Sequence, residues 1–560
     1  MDSTNRPWLK TYPDWIPADI TIPATTALDD FRASVANRPD KPAIFYFDRI
    51  ISYGELDTLS NGLAAALSEW GIKKGDRIMV VLQNIPQFLI ALYGAWKIGA
   101  IVVPLNPMYK EKELTYFCQD SGARVLIIQD DAAQALNLEF LKQTPVERLI
   151  TTSALDLLPP QGAIPDLLKG LRKIALPEST DLLDLIQRHP QANQSRPELT
   201  PRDIAYLTYT SGTTGPPKGA MNSHENLVFN ARIYRIFLRM TYDDIVLAVA
   251  PLFHVTGEVA HLAIAAFMGI PVILFYRFDA GETLRLIEQR KATMTVAAIT
   301  VYIALMNHPD IKKRDLSSFK KAYSGGAPVS AAIVEQFKAL TGLPIYNAYG
   351  MTETNSPSHL VPLGFSIPVD PESGALSVGL PISNAVVKIM DLEEGARELL
   401  PGEIGEIVDF GPMVIPGYWQ KPEETRHAIK EGWLYTGDVG KMDEAGWFYV
   451  VDRKKDLIVA SGYKVWPRDV EDVLYQHPAV RETAVVGVPD PYRGETVKAF
   501  VALKPGMEGS VSAEEIIAFC KERIAAYKYP RQVEIVAEIP KTLTGKFLRR
   551  TLREKEGSEG

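Results

Sequence analysis

The segment Thr208-Tyr209-Thr210-Ser211-Gly212-Thr213-Thr214-Gly215-Pro216-Pro217-Lys218-Gly219 gathers five serine or threonine hydroxyls, three glycines and a lysine in twelve residues. Hydroxyls donate to phosphate oxygens, and glycines let backbone N–H groups close round an anion. The two prolines stiffen the loop, and Lys218 adds a point charge. This is the chemistry of a polyphosphate cradle, and ATP is its natural guest. The spacing differs from the Gly-x-x-x-x-Gly-Lys-Ser/Thr loop of P-loop ATPases, because Gly212 and Gly215 are three apart and Gly219 follows the lysine. The bland reading is a Gly/Ser/Thr surface turn, which rarely combines so many phosphate donors.

Further segments carry groups that suit a nucleotide. Tyr349-Gly350-Met351-Thr352-Glu353-Thr354 offers an aromatic face, a hydroxyl and a carboxylate. These fit base stacking, an α-phosphate contact and Mg²⁺ ligation, since magnesium takes one or two carboxylates plus phosphate oxygens. A helix start capped by Thr352 is the alternative. Ser324-Gly325-Gly326-Ala327-Pro328 is small enough for a flat ring to lie against backbone, or is simply a turn. Asp438 in Tyr435-Thr436-Gly437-Asp438 could accept from ribose hydroxyls or stabilise its own turn. In Ile539-Pro540-Lys541-Thr542-Leu543-Thr544-Gly545-Lys546, a hydroxyl-glycine turn presents Lys546, whose charge suits a pentacovalent phosphorus centre. With Arg549, Arg550 and Arg553 nearby, a solvated basic tail is equally compatible.

The elements that must position these groups show a helix–strand alternation. Ser52 and Glu55 form a capping-box signature, and Leu56, Leu59, Leu63, Ala66 and Leu67 recur at helical spacing before Gly71. Ile78–Leu82, Ala100–Pro104 and Arg124–Ile128 read as strands, with a helix between Phe88 and Ile98. Alternation of this kind implies helix-wrapped, mostly parallel sheets. Residues 155–201 read as a surface excursion. From 376 to 451 the texture changes to hairpins, a small barrel-like β subdomain. A charged break at Asp452-Arg453-Lys454-Lys455-Asp456 precedes a smaller α+β segment. The expected division is an N-terminal arm (1–30), a large α/β domain (31–452, with the β-rich part at 376–451), a hinge (453–457) and a small mobile C-terminal α+β domain (458–560).

Composition narrows the class. The 560 residues suffice for roughly three to four domain-sized units. Apolar residues make up 46% and charged residues 23%, as in a globular protein. A net charge of −8 argues against a nucleic-acid-coating surface. The two cysteines, Cys118 and Cys520, provide neither a disulfide framework nor a thiolate zinc site, and the polar N-terminus lacks a secretory core; a cytoplasmic location follows. The stretch Leu262–Tyr276 is broken by Gly269 and Pro271 and falls short of the roughly twenty residues of a spanning helix. It reads as a buried helix and a buried strand. Peripheral membrane contact stays open for a lipid substrate, without an amphipathic basic helix to support it.

Taken in order, TSGTTGPPKG, SGGAP, YGMTE, YTGD, DRKKD and PKTLTGK resemble the acyl-adenylate-forming superfamily of acyl-CoA synthetases, over about Asp30 to Arg553. The opening Arg6–Pro13, the run Tyr302–Pro309 and Asp452–Ile458 resemble fatty-acyl-CoA ligases in particular. The resemblance implies that Thr210, Ser211, Gly212, Thr213, Thr214, Gly215 and Lys218 close over the β- and γ-phosphates. By the same resemblance Gly326, Ala327, Pro328 and Tyr349 hold adenine, and Asp438 and Arg453 hold the ribose. Thr352 touches the α-phosphate, Glu353 ligates Mg²⁺, and Lys546 bridges the acyl carboxylate and the α-phosphate. Lys455 is the hinge, Gly462 faces the CoA channel and His254 lines the carboxylate pocket, though a histidine after an apolar run is more often a satisfied core residue. Many long-chain relatives carry a tryptophan gate four residues after that histidine; here the position is Glu258.

The implied activity joins a carboxylic acid to CoA through an acyl-AMP, using ATP and Mg²⁺, with medium- to long-chain fatty acids as leading substrates. An aryl-CoA ligase of the coumarate or benzoate type and a catalytically silent nucleotide or lipid sensor are the alternatives; a luciferase-like oxygenase is poorly supported. A monomer or homodimer is expected, the latter if the N-terminal arm packs on a second subunit.

Overall fold

Continuous apolar runs dictate the inner strands. Arg77–Val81 and Val125–Gln129 are buried almost throughout, as parallel strands covered on both faces must be. The computed structural model describes the chain except residues 1–4, 160–161, 191–196, 211–215, 328, 372–373, 393–394, 396, 454–455, 461–462, 491–492, 542–546 and 559–560. Among the described residues the strands form four sheets. The first runs Thr180–Asp181, Arg148–Thr152, Val125–Gln129, Arg77–Val81, Ile101–Pro104, Ile204–Tyr209, Gly219–Ser223, parallel except for its last pair. The second has a parallel centre from Pro42–Tyr46 to Ile345–Met351 and antiparallel edges. This is the expected mixed α/β architecture.

Local signals explain the helices between them. Ser52 caps the helix Tyr53–Glu69 by accepting from the Glu55 N–H, and Gly71 follows its end at φ +74°. The reciprocal half of the capping box is replaced, because the Glu55 carboxylate pairs with Arg49. The helix Pro86–Lys97 is buried on every side, which an all-round apolar helix requires. Its one charge, Lys97, is satisfied by Asp57 at 2.7 Å and the Ser60 hydroxyl at 2.6 Å.

The β-rich region is a five-stranded antiparallel sheet built on Val386–Met390, Gly405–Phe410 and Trp433–Met442. After it, a hairpin of Val480–Asp490 with Gly494–Leu503, flanked by Ile458–Ala460 and Gln532–Val536, encloses a core of its own from Ile458 to Tyr529.

Two expectations are corrected. Residues 155–201 are more than a surface excursion: Thr180–Asp181 extends the first sheet, and the helix Leu182–Arg188 packs on Tyr53–Glu69 through Ile186, whose methyl lies where a Cβ on Gly62 would be. The N-terminal arm packs on its own chain. Trp8 is fully buried, meets Phe448 edge-on at 6.0 Å and sits against Gly446, where a Cβ would come within 2.4 Å of its Cα. Ser383 donates to Pro17 at 2.7 Å, and the Ile20 N–H donates to Asn384 at 2.8 Å. Trp8→Ala is therefore expected to cost about 3–5 kcal/mol, read as a lower denaturation midpoint; a deletion of residues 1–26 that left the midpoint unchanged would overturn this account of the arm.

Candidate active site

The Gly/Ser/Thr-rich segment is flanked by two antiparallel strands. Ile204–Tyr209 leads into it and Gly219–Ser223 returns antiparallel, with the Thr210 N–H donating to the Lys218 carbonyl at 2.9 Å across its neck. Tyr209 donates to Asp120 and Tyr116 to the Pro217 carbonyl, both at 2.7 Å, so the stems are fixed from outside. Ser211, Gly212, Thr213, Thr214 and Gly215 lie outside the described residues. At the exit, the Lys218 ammonium sits 4.4 Å from the centre of the Tyr418 ring. The Tyr418 hydroxyl donates to Glu353 Oε1 at 2.7 Å. Burial, then the Glu353 charge, pushes the Tyr418 phenol far above its ordinary range, so it remains a donor. The lysine of one motif and the carboxylate of another are thus joined through a side chain that the sequence did not single out. Its only signal was an aromatic pair after Gly417.

Glu353 sits on a short turn, Thr352–Thr354, at the end of the strand Ile345–Met351. The turn is three residues long and not the start of a longer helix, which removes the capping alternative for the half-buried Thr352. A Cβ on Gly350 would lie 1.7 Å from the Ser356 carbonyl oxygen, so no other residue fits there. Asn355 and Ser356 both take positive φ, 49° and 82°, a conformation that neighbours must enforce. Those neighbours are asparagines. Asn230 Nδ2 donates to the carbonyls of Thr354 (3.1 Å) and Asn355, and Asn355 Nδ2 donates to Asn222 Oδ1 at 2.8 Å. Asn226, one turn before Asn230 on the helix His224–Phe237, donates to the Pro412 carbonyl at 2.7 Å. The four-residue spacing of Asn222, Asn226 and Asn230 was the available sequence signal.

Tyr349 and Asp438 come together across two sheets, the tyrosine hydroxyl donating to Asp438 Oδ2 at 2.8 Å. Burial, reinforced by Asp438 and Asp409, keeps that phenol protonated. Gly325, Gly326 and Ala327 follow Lys321–Ser324, the strand beside Ile345–Met351, so both loops leave the carboxyl ends of adjacent parallel strands, where such sheets bind ligands. A Cβ on Gly325 would meet the Ala348 carbonyl oxygen at 2.9 Å. The Arg453 backbone is paired in register with Asp438. Pro328, Lys455, Gly462 and Lys546 lie outside the described residues. Beyond them Arg549 is no solvated tail: it is bonded to Glu471 at 2.7 Å, with Asp456 and Asp452 at 3.4 and 3.6 Å.

Near His254, the Thr256 N–H donates to His254 Nδ1 at 3.3 Å, which orients the ring. The helical run that follows opens with a π-helical stretch, Gly257–Ala263, a geometry frequent at functional sites. A Cβ on Gly257 would lie 2.2 Å from the Pro251 carbonyl oxygen. Next to it Glu258 is fully buried, and the Thr208 hydroxyl lies 2.9 and 2.8 Å from its two oxygens. Burial pushes the Glu258 carboxyl up to about 8, against the opposing Thr208 hydroxyl. The histidine segment is therefore stapled to the strand that carries the phosphate loop.

Among the described residues, no group of three His, Cys, Asp or Glu side chains could hold a metal ion. One carboxylate, Glu353, suits a magnesium ion whose remaining ligands are phosphate oxygens and water. Lys218, Tyr418 and Glu353 form one contact set and Tyr349 and Asp438 a second, and the two are linked along the chain by residues 349–353.

The chain matches the family model described as AMP-binding enzyme over residues 31–419 and that described as AMP-binding enzyme C-terminal domain over residues 469–546. It is 38% identical to a long-chain-fatty-acid–CoA ligase of Bacillus subtilis (strain 168), covering 99% of this chain and 98% of the relative. It is 34% identical to a feruloyl-CoA synthase of an Amycolatopsis species, covering 93% and 96%. Among solved structures it resembles the anthranilate CoA ligase AuaEII in complex with anthranoyl-AMP, with a TM-score of 0.84 and 28% identity over 97% of this chain and 99% of that one. With a family model spanning most of its length and relatives aligned nearly end to end, the chain belongs to the AMP-binding enzymes.

Proposed function

We propose that the protein is an AMP-forming acid–CoA ligase acting on medium- to long-chain fatty acids. The observation that carries this reading is the pair of contact sets Lys218–Tyr418–Glu353 and Tyr349–Asp438, both built on the end of the strand Ile345–Met351 and the turn after it; the similarity to fatty-acid–CoA ligases supports the acid class. A carboxylate resists direct attack by a thiol because it would have to expel oxide. Its oxygen instead attacks the α-phosphorus of ATP, forming a P–O bond as the bond to pyrophosphate breaks. The CoA sulfur then attacks the acyl carbon, AMP leaves, and the thiol proton passes to solvent. Thr210 through Lys218 hold the β- and γ-phosphates, Thr352 the α-phosphate, and Asp438 with Arg453 the ribose. Gly326, Ala327, Pro328 and Tyr349 enclose the adenine. Glu353 would hold Mg²⁺, which supplies charge neutralisation to the phosphates when bound. His254 lines the acid pocket, and Lys546 contacts the carboxylate and α-phosphate in the first half-reaction.

Two half-reactions on one bound intermediate call for a domain that moves between them. We place the division at a hinge, 453–457 with Lys455 at its centre, between the domain 31–452 and the domain 458–560, with Gly462 facing CoA in the second step. A cytoplasmic location accords with Cys118 and Cys520, both buried and unpaired, and among the described residues no helix is long and apolar enough to cross a membrane. Because the N-terminal arm is occupied on its own chain, it no longer argues for a dimer. One observation favours a second reading, an aryl-CoA ligase: Glu258, a polar group held by Thr208, stands where a tryptophan gate would be.

A panel of short, medium and long fatty acids with cinnamates and benzoates separates the two readings. Pyrophosphate release should depend on the acid, and thioester should form only with CoA; acyl-AMP without thioester at any CoA concentration would refute the second step. Lys546→Ala should reduce adenylation on the order of a hundredfold or more with ATP binding nearly intact, and equal loss of both would show that its role is misassigned. Tyr418→Phe removes a hydrogen bond to a charged group, a loss of roughly tenfold or more in kcat/KM for ATP, together with a higher Mg²⁺ requirement in a metal titration. Glu258 in the folded chain holds its proton up to about pH 8 against an ordinary value of 4.5, so the stability it contributes is complete below that ordinary value and is lost as pH rises through 8. The melting temperature of Glu258→Gln minus that of the unaltered protein should therefore grow between about pH 5 and 9; a flat difference would mean the carboxyl is ionised throughout.

A further inference from the structure

Beneath the Tyr349–Asp438 contact lies a second carboxyl with no part in the chemistry above. Asp409 is on the strand Gly405–Phe410, two residues beyond Ile407 and on the same face. Ile407 lies opposite the irregular step in the neighbouring strand that contains Asp438: Glu406 pairs with Val439 and Val408 with Tyr435, and the Thr436 hydroxyl donates to the Ile407 carbonyl at 2.7 Å. Ile407 joins the main core, whereas Val408 faces Trp433 on the other side. Asp409 and Asp438 are thus neighbours on the inner face of one sheet, and each raises the cost of ionising Tyr349.

Their surroundings differ. Asp438 accepts from Tyr349. Asp409 is completely buried, and neither of its oxygens meets a hydrogen-bond donor at bonding geometry. The groups that act on it or on which it acts are Tyr349, kept neutral, Asp438 and the Ser358 hydroxyl. Behind Tyr349 and Ser358 lies His359, whose imidazole burial pushes down to about 3, its ring 5.3 Å from that of Tyr349 and its Nδ1 2.9 Å from the Ser358 hydroxyl. Among the described residues no lysine or arginine pairs with it. Burial pushes the Asp409 carboxyl up to about 7; Ser358 opposes this and the Asp438 charge adds to it. An unsolvated carboxylate beside another carboxylate is the less favourable place for charge, so Asp409 is the one of the two that keeps its proton.

We propose that Asp409 is a positioning residue of the nucleotide site, a neutral carboxyl set beside Asp438 so that the pair carries one negative charge, held where the ribose hydroxyls are bound. When Asp409 ionises, a second negative charge appears under an anionic ligand and draws the Tyr349 hydroxyl away from Asp438. Nucleotide binding weakens on the alkaline side. The inference rests on the nucleotide reading of this site, and the test keeps the two apart.

The test is AMP binding by titration calorimetry on the full chain, from about pH 6 to 8.5, for the unaltered protein, Asp409→Asn and Ser358→Ala. Between those limits the unaltered protein should lose roughly five- to tenfold more affinity than Asp409→Asn. Ser358→Ala, which removes the one hydroxyl favouring the ionised form, should move the loss to higher pH. Superimposable profiles for the unaltered protein and Asp409→Asn, or weaker binding by Asp409→Asn already at about pH 6, would overturn the proposal. If Asp409→Asn does not fold, an unmoved profile in Ser358→Ala overturns it instead. No AMP binding by the unaltered protein at any pH would instead defeat the nucleotide reading itself.

Discussion

A single hydroxyl on a carboxylate ties the site together. Tyr418 pairs by its backbone with Ala220, just past the phosphate loop, gives its hydroxyl to Glu353 at the end of the other parallel-centred sheet, and offers its ring to Lys218. The two sheets share no ladder among the described residues; the segment 415–419 joins them, through the Ile415 N–H to the Glu353 carbonyl (3.0 Å), the Trp419 N–H to the Gly219 carbonyl (2.8 Å), the Met221 N–H to the Gly417 carbonyl (3.0 Å) and the Tyr418 side chain. A hydrogen bond to a charged group contributes about 1.5–3 kcal/mol, and burial strengthens it. Added to those backbone bonds, it holds the Glu353 carboxylate and the Lys218 ammonium on either side of one tyrosine ring.

What the sequence made legible was what is local. The density of hydroxyls and glycines between Thr208 and Gly219, the apolar runs of the parallel strands and the cap at Ser52 each declare themselves within a dozen residues, because their physics acts over that range. What stayed hidden joins distant positions. Tyr418 and Glu353 are 65 residues apart, Asn230 and Thr354 are 124, and Asn226 and Pro412 are 186. An asparagine in a helix reads as an exposed polar residue until the loop it supports is seen. Arg549 reads as a tail cation until three carboxylates surround it. The arm was misread for the same reason: nothing near Trp8 in sequence reveals that Gly446 has been left bare to receive it.

The carboxyl groups fall into two populations. Glu353 and Asp438 each accept from a tyrosine hydroxyl, and both sit at loop or strand positions opening on the site. Glu258 and Asp409 stand behind them, fully enclosed, and keep their protons near neutrality. Desolvation is the largest cause of the raised values at Glu258 and Asp409, the neutral supports of the wall. A count of acidic residues at this site would overstate its negative field, which an enzyme binding a polyphosphate cannot tolerate.

The clearance at Gly350 carries a lesson for anyone wishing to retarget this scaffold. With 1.7 Å between a would-be methyl and the Ser356 oxygen, the strand end at Gly350, just before the turn bearing Glu353, cannot accept even the smallest side chain without the return strand shifting. The wall after His254 is close too, since a Cβ on Gly257 would lie 2.2 Å from the Pro251 carbonyl oxygen and Gly257–Ala263 are all buried. Neither glycine is a position from which this scaffold can be varied; both mark where two stretches of backbone have been brought as near as they can come.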